Sequence, residues 1–493
     1  MKSVSVLLLT FAGLGLAASS NYFAPDHRVS GVGAARPDIS DDLLAVRTDL
    51  MVKSQTFAIM REPLAVSGAG RITGAKLQPI FRSAARASGF PQSTLEAVSY
   101  LESWGEAKAE SYAGPKGIMQ ISEATARRMG LKIVRATRYR ITAEKVPVKR
   151  KGKTVLRTVQ KKTPYTVTVR DERLMPEKAI PAAARYLAGL EQRYGSRDWA
   201  VFAYHCGEGC VAEMMELTRQ ARGIRKNDIT VARMFFGASP AWNRDLYQAI
   251  QRNMERDWSP TYYFRVRRAE ELLALYRRNP AGFKALSEEY RSQFYENTRA
   301  PHRLSVWLKK EDFVFQNCED MRLDVGRRLV TALQNPDFFG YRLANDIGAG
   351  DPGNQRYYLQ ASPAAIGTLA YIAYETRRLY DAAKPRGERW EPLEVTSLVQ
   401  PAERAPRLIP AANVRGRSEA LSHCSGQVFD LNIGKLPPGQ RECLRFVLND
   451  LGWEGYLGFV DEGVDTLHIG CSPTSREFFT TVFHEALKAS ERL

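Results

Sequence analysis

Two small sets of residues in this chain are of types and spacings that do chemistry. The first centres on Glu102, which ends an apolar helical stripe of Leu95, Val98 and Leu101 beside Trp104. It is followed by Gly114-Pro115-Lys116-Gly117-Ile118-Met119-Gln120. A carboxylic acid held in partly apolar surroundings keeps its proton to higher pH than one in water, which suits it to protonate a leaving oxygen. The glycines permit close backbone approach of a ligand, and Gln120 brings an amide for hydrogen bonding. The second set is His423, Asp430 and His468, in a chain with only six histidines. Two imidazoles and a carboxylate supply the three protein ligands of a catalytic zinc, with a fourth position left for water. By residue type alone, Glu102 is an ordinary surface glutamate and each histidine a structural one. Their neighbours carry the further information.

The elements that must position Glu102 begin with a helical pattern from Leu77 to about Gly130, opened by Leu77, Ile80, Phe81 and Ala84. Ser93 lies three residues before Glu96, a capping-box spacing that announces the helix leading to Glu102. Between Val134 and Val169, β-branched and basic residues alternate. They predict a hairpin turning near Lys151-Gly152-Lys153, with a further short strand from Tyr165 to Val169, and the segment 135–170 reads as an insertion. Helical pattern returns from Ile180 to Leu190 and from Val201 to Met215, and residues 240–385 are helix-rich. A Pro- and Arg-containing stretch near Lys384 to Trp390 marks a boundary. Beyond it, short strands are expected at Leu393–Leu398, Val428–Leu431, Tyr456–Val460 and Thr466–Ile469, with helices at Glu442–Leu451 and Arg476–Leu487.

Bulk properties bound the rest. A chain of 493 residues with 44% hydrophobic composition can bury more than one core, so two or more domains are expected. Lys2, an apolar run from Val4 to Ala18 and small residues to Ser20 read as a secretory signal peptide. The run is shorter than the roughly 20 residues that span a bilayer. Export to the periplasm or cell envelope is expected, with no stable membrane span. The net charge of +17 favours an anionic partner, and envelope polymer fits export better than nucleic acid, for which no binding module is present. Six cysteines in an exported chain predict disulfides, and Cys206 and Cys210, bent around Gly207 and Gly209, are the favoured pair.

Glu102-Ser103, Ala109, Ser111, Gly114 and Gly117-Ile118-Met119-Gln120 resemble, in register and without gaps, the E-S-x-x-N-P-x-A-x-S-x-x-G-A-x-G-L-M-Q signature of soluble lytic transglycosylases, lysozyme-like family 23 glycoside hydrolases. Ile180–Leu190 and Trp199-Ala200-Val201-Phe202-Ala203-Tyr204-His205-Cys206-Gly207 are similar to two later elements of that family, in order. The resemblance covers roughly residues 77–220 and implies that Glu102 protonates the oxygen between N-acetylmuramic acid and N-acetylglucosamine. Glu102 then acts as base while the muramoyl 6-hydroxyl closes a 1,6-anhydro ring, and no cofactor is needed. It further implies that Tyr204 orients Glu102, that Ser103 supports it, and that Gly117, Met119 and Gln120 line the glycan groove. His205 stands where the family carries Asn and is read as a groove contact. A two-carboxylate glycosidase using Glu106 or Glu110, and a plain lysozyme-type hydrolysis, are the neighbouring readings.

Ser422-His423-Cys424-Ser425-Gly426-Gln427-Val428-Phe429-Asp430 resembles the S-x-H-x-x-G-x-A-x-D signature of zinc D-Ala-D-Ala peptidases and their LAS relatives. Asp465-Thr466-Leu467-His468 is similar to the closing E-x-x-H element, and Val395–Val399 to the strand that precedes the signature. The resemblance implies zinc on His423, Asp430 and His468, with Asp465 or Glu462 as peptidase base. A non-catalytic wall-binding or protein-docking module is the alternative for this part.

The expected fold is multidomain. A signal peptide (1–20) and an extended lead-in (21–74) precede a mainly α lysozyme-like transglycosylase domain (75–220) with the β-hairpin insertion. A helical middle region (221–388) joins it to an α+β domain of LAS/hedgehog-peptidase type (389–493). The expected partners are peptidoglycan glycan strands, their stem peptides and other envelope proteins.

Overall fold

A computed structural model describes residues 39–150, 153–225, 228–254, 261–295, 312–383, 385–404, 422–461 and 465–492. The segment read as a signal peptide and Glu462 lie outside the described residues.

From Asp41 the expected extended lead-in is instead helical, forming α1 (Asp41–Met60) and α2 (Ala65–Thr73). The pattern from Leu77 becomes α3 (Gln78–Ser88), α4 (Gln92–Ser103) and α5 (Glu123–Arg128). The basic segment is one long antiparallel ribbon, β1 (Ile133–Arg150) against β2 (Lys153–Asp171). Tyr165–Val169 is the far part of β2 rather than a separate strand, with Tyr165 opposite Arg138 and Val167 opposite Ala136. Among the described residues, seven α-helices follow: α6 (Pro176–Tyr194), α7 (Arg197–Cys206), α8 (Glu208–Gln220), α9 (Val231–Phe236), α10 (Arg244–Met254), α11 (Tyr262–Arg278) and α12 (Pro280–Tyr295).

The lead-in hides its first helix because the buried face of α1 is partly polar and its exposed face partly apolar. It packs against α9, α11 and α12, and it buries Arg47, Thr48, Gln55 and Thr56 together with Met51, Val52 and Ile59. An amphipathic stripe is the signal by which a surface helix is read, and polar residues on the buried face blur it. The Ser93–Glu96 capping box does not form either. Pro91 occupies the N-cap of α4, and Glu96, only 1% exposed, accepts the Gln78 and Gln92 amides at 2.8 Å each and pairs with Arg277 of α11. A buried carboxylate needs partners more than a helix end needs one cap.

Beyond them, the described residues form α13 (Cys318–Leu323), β3 (Val330–Thr331), α14 (Pro336–Phe339), β4 (Tyr341–Leu343), β5 (Gln360–Ala361), α15 (Pro363–Ala383), β6 (Leu393–Ser397), β7 (Val428–Asn432), α16 (Pro438–Trp453), β8 (Leu457–Asp461), β9 (Thr466–Cys471) and α17 (Arg476–Ser490). Their main sheet has the order β4-β6-β7-β9-β8, with β4 parallel to β6 and the other neighbours antiparallel. Helices α15, α16 and α17 pack together, and α15 also lies against β4, β7 and β9. Gly367 makes the crossing of α15 and α17 possible, since a Cβ there would sit 1.8 Å from the Phe479 carbonyl oxygen.

The expected helical middle region is therefore not a unit. α11 packs on α4 and α7 of the first domain, whereas residues from 312 onward give β4 and α15 to the second. The boundary near Lys384 to Trp390 falls inside the second domain. A strand of three residues is too short to show alternation, so β4 was not legible. The two halves meet along α1 and α10: Arg47 reaches Asp450 and Glu454 of α16 at 2.5 Å each, and Tyr247 packs edge-on against Phe446. Among the described residues, no helix is long and apolar enough to cross a membrane.

Candidate functional site

Glu102 lies in the last turn of α4 and is half-buried. The helix stops two residues later because Trp104 adopts a left-handed conformation, φ 54°, and its ring packs edge-on against Tyr100 at 4.7 Å. The chain then turns back so that the Gly117–Gln120 loop lies against α4. Ser103 donates its hydroxyl to the Ile118 carbonyl at 2.8 Å, and Tyr204 of α7 donates to the Met119 carbonyl at 2.7 Å. Gln120, itself left-handed at φ 43°, turns its amide back onto the Gly117 carbonyl at 2.9 Å.

Gly117 has no substitute here. Its φ is +81°, and a Cβ would lie 1.8 Å from the Arg173 carbonyl oxygen. Arg173 follows β2 directly and is clamped by Asp171, with its guanidinium donating to the Ile121 carbonyl at 3.2 Å. The root of the ribbon and the loop beside Glu102 are thus one packed unit.

The hydroxyl that reaches Glu102 belongs to a residue the sequence reading missed. Tyr262, the first residue of α11, donates to Glu102 Oε1 at 2.7 Å. Tyr204, expected to orient Glu102, spends its hydroxyl on Met119 but lies close enough for the carboxylate charge to act on it. Burial, followed by the charge of Glu102, holds both phenols well above the usual tyrosine range, so both remain proton donors. His205 stacks on the Tyr262 ring, with centroids 4.2 Å apart and planes 8° from parallel. The disulfide between Cys206 and Cys210, expected from the spacing, forms just beyond it around Gly207 at φ 88°.

Two expectations change at this site. The Met119 side chain is fully buried, so this residue contributes its carbonyl and not a groove surface. Glu106 and Glu110 are both exposed, and Glu110 pairs with Lys116 at 2.9 Å, which leaves Glu102 as the carboxylate beside the tyrosines. Tyr262 lies beyond the stretch in which the motif was sought. α11 falls within the stretch expected to be helix-rich, but nothing in its spacing ties it to α4.

The second set also converges. Register places Ser397, Asp430 and His468 in one row across β6, β7 and β9. His423 enters from the turn preceding β7. Its Nε2 lies 3.2 Å from Asp430 Oδ1, and His468 Nδ1 lies 2.8 Å from the same oxygen. One ligand atom from each of His423, Asp430 and His468 lies within 4.8 Å of the others. Burial works against the Asp430 charge, yet the adjoining imidazoles of His423 and His468 hold its carboxyl well below the usual range.

This donor set fits a metal ion. His423 Nδ1 lies 2.7 Å from the Leu398 carbonyl, which can only accept, so Nδ1 carries the hydrogen. Nε2 then turns a lone pair towards a carboxylate oxygen, an arrangement favourable only with a cation between them, whether proton or metal. Ser422 Oγ contacts His468 Nε2 at 3.1 Å and orients the other imidazole. Asp465 does not join the group. It is exposed at the foot of β9, out of step with His468 in the strand alternation, and packs against Gly434.

With both geometries in view, comparison with known proteins bears on the first. Residues 79–145 and 153–226 match the family described as the transglycosylase SLT domain. The peptidoglycan transglycosylase gp16 of Escherichia phage T7 is 28% identical over 165 residues, covering 31% of this chain and 10% of that protein. The chain thus spans about a tenth of the length of the curated relative it matches. The portion of the chain that carries Glu102, Gly117, Tyr204 and the ribbon is therefore similar to an SLT transglycosylase domain.

Proposed function

We propose that this protein is a peptidoglycan lytic transglycosylase that cuts the bond between N-acetylmuramic acid and N-acetylglucosamine, with Glu102 as its only catalytic acid and base. The observation that carries this reading is the Tyr262 hydrogen bond to Glu102 Oε1 at 2.7 Å, with the neighbouring carboxylates Glu106 and Glu110 both turned to solvent. Similarity to the SLT domain and to gp16 supports the substrate class.

The transferable proton is that of the Glu102 carboxyl. It passes to the glycosidic oxygen as the bond from that oxygen to the muramoyl C1 breaks. The carboxylate so formed takes the proton of the muramoyl 6-hydroxyl, whose oxygen bonds to C1 and closes the 1,6-anhydro ring. Water is not consumed, and one carboxyl serves both halves. A two-carboxylate glycosidase would hold its acids about 5 to 9.5 Å apart across the sugar. The test is release of soluble fragments from purified sacculi, which Glu102→Gln must abolish.

We further propose that His423, Asp430 and His468 hold a zinc ion. When bound, it would supply a Lewis acid and an activated water. His423 would bind through Nε2 with its tautomer set by Leu398, and His468 through Nδ1 with Ser422 behind it. Cleavage of stem peptides is the activity this set would serve. Chelator-sensitive release of stem-peptide fragments supports a peptidase, whereas stoichiometric zinc without peptide cleavage supports a wall-binding or docking module.

A further inference from the structure

The ribbon β1–β2 is not used in the chemistry above, yet it holds much of the chain's charge. Residues 133–171 contain twelve Lys and Arg against Glu144 and Asp171, a surplus of ten within a total of +17. At about 3.4 Å per residue its strands run for about 60 Å. From Arg138 to Lys145 and from Leu156 to Val159 the described side chains are exposed or, at most, half-buried. Arg138, Arg140, Lys145, Lys153, Arg157 and Lys162 have no carboxylate partner among the described residues. A two-stranded ribbon is marginal in water by itself, and uncompensated like charges weaken it further. Such a ribbon fits an anionic partner.

The distribution of side chains between the faces selects among polyanions. Paired residues share a face, so Arg135, Tyr139, Lys145, Leu156 and Lys162 lie on one side and Arg138, Arg140, Arg157, Lys161 and Tyr165 on the other. Tyr139 and Tyr165 are 53% and 42% exposed, each with a cation over its ring, from Lys162 at 4.2 Å and Arg140 at 5.7 Å. A lipid surface is one plane and would gather apolar and basic groups on one face. Cations and sugar-stacking rings on both faces suit a polymer that surrounds the ribbon. The root at Asp171–Arg173 is packed against the Gly117–Gln120 loop, so such a polymer would continue from the Glu102 site.

We propose that the ribbon is a second binding surface for peptidoglycan, engaging the carboxylates of stem peptides on the glycan network being cut. This rests on the transglycosylase reading for the identity of the polymer. The test uses the full chain with Glu102→Gln, so that binding is measured without turnover. Arg140→Gln, Lys145→Gln, Arg157→Gln and Lys162→Gln are combined in that background, all at exposed positions. Co-sedimentation with purified sacculi should weaken at least tenfold at low salt, the difference closing as salt is raised, with an unchanged melting temperature.

Equal binding by parent and variant overturns the proposal. So does a loss confined to duplex DNA, or to vesicles of phosphatidylglycerol and phosphatidylcholine, with sacculus binding intact. Fragment release by the chain with native Glu102 separates the two failures. If fragments appear and the variant still binds like the parent, only the ribbon inference falls.

Discussion

Glu102 and Asp430 are both half-buried carboxylates that accept hydrogen bonds from ring side chains, yet the charge around them differs. Tyr262 and Tyr204 are held as neutral phenols beside Glu102, with the His205 imidazole stacked on the Tyr262 ring. Asp430 faces His423, whose tautomer is set by the Leu398 carbonyl, and His468, which Ser422 contacts from behind, and the two imidazoles crowd one carboxylate oxygen. The surroundings, more than the carboxylate, divide an acid/base from a ligand. Neutral donors leave the proton mobile. Imidazole donors with committed outer hydrogen bonds prepare a place for a cation.

The largest effect that would break this comparison is at Glu102. Glu102→Gln keeps the shape and removes the proton, so kcat on sacculi should fall about 10²- to 10⁴-fold with binding retained. Removal of a ligand comes next. His468→Ala should weaken zinc binding by at least about 100-fold, read by metal analysis of the purified chain. Chelation should leave glycan cleavage unchanged, and chelator-sensitive glycan cleavage would show that the two sites are not chemically separate.

Tyr262→Phe removes a hydrogen bond to a charged group, worth about 1.5 to 3 kcal/mol. It should lower kcat roughly 10- to 100-fold with little change in KM, whereas Tyr204→Phe, which loses a bond to a neutral carbonyl, should cost less. Equal losses would mean that Tyr204 meets the substrate.

The smallest effect concerns the joint between the halves. Burial, opposed by Arg47 and reinforced by Asp450, pushes Glu454 up from 4.5 to about 8. The folded state therefore binds a proton that the unfolded state has released between these values, and stability falls as pH rises from about 4.5 to about 8. Below that window the contribution is complete, and above it the loss is complete. Glu454→Gln should flatten the melting temperature across this range, and an unaltered slope would assign the dependence elsewhere.

Much of both sites was legible because each rests on local spacing. Glu102 with Gly117–Gln120, and His423 with Asp430, lie on adjacent elements whose separation in sequence is short. The second-domain strands and helices were equally visible, since β6, β7, β8 and β9 carry their own patterns. What was hidden depends on contacts between distant segments. Tyr262 reaches Glu102 across 160 residues, and the polar residues that α1 buries find their places only against helices distant in sequence. Glu96 looked like half of a cap until Arg277 and two glutamines claimed it. The strand β4 is recognisable only by its pairing with β6.

Mass spectrometry of the fragments released from purified sacculi tests the central claim most directly, because it reads both the bond cut and the end created. The single-carboxyl mechanism predicts muropeptides ending in 1,6-anhydro-N-acetylmuramic acid, absent from digests with Glu102→Gln. Fragments ending in reducing N-acetylmuramic acid, or anhydro ends formed equally by the Glu102→Gln chain, would contradict it.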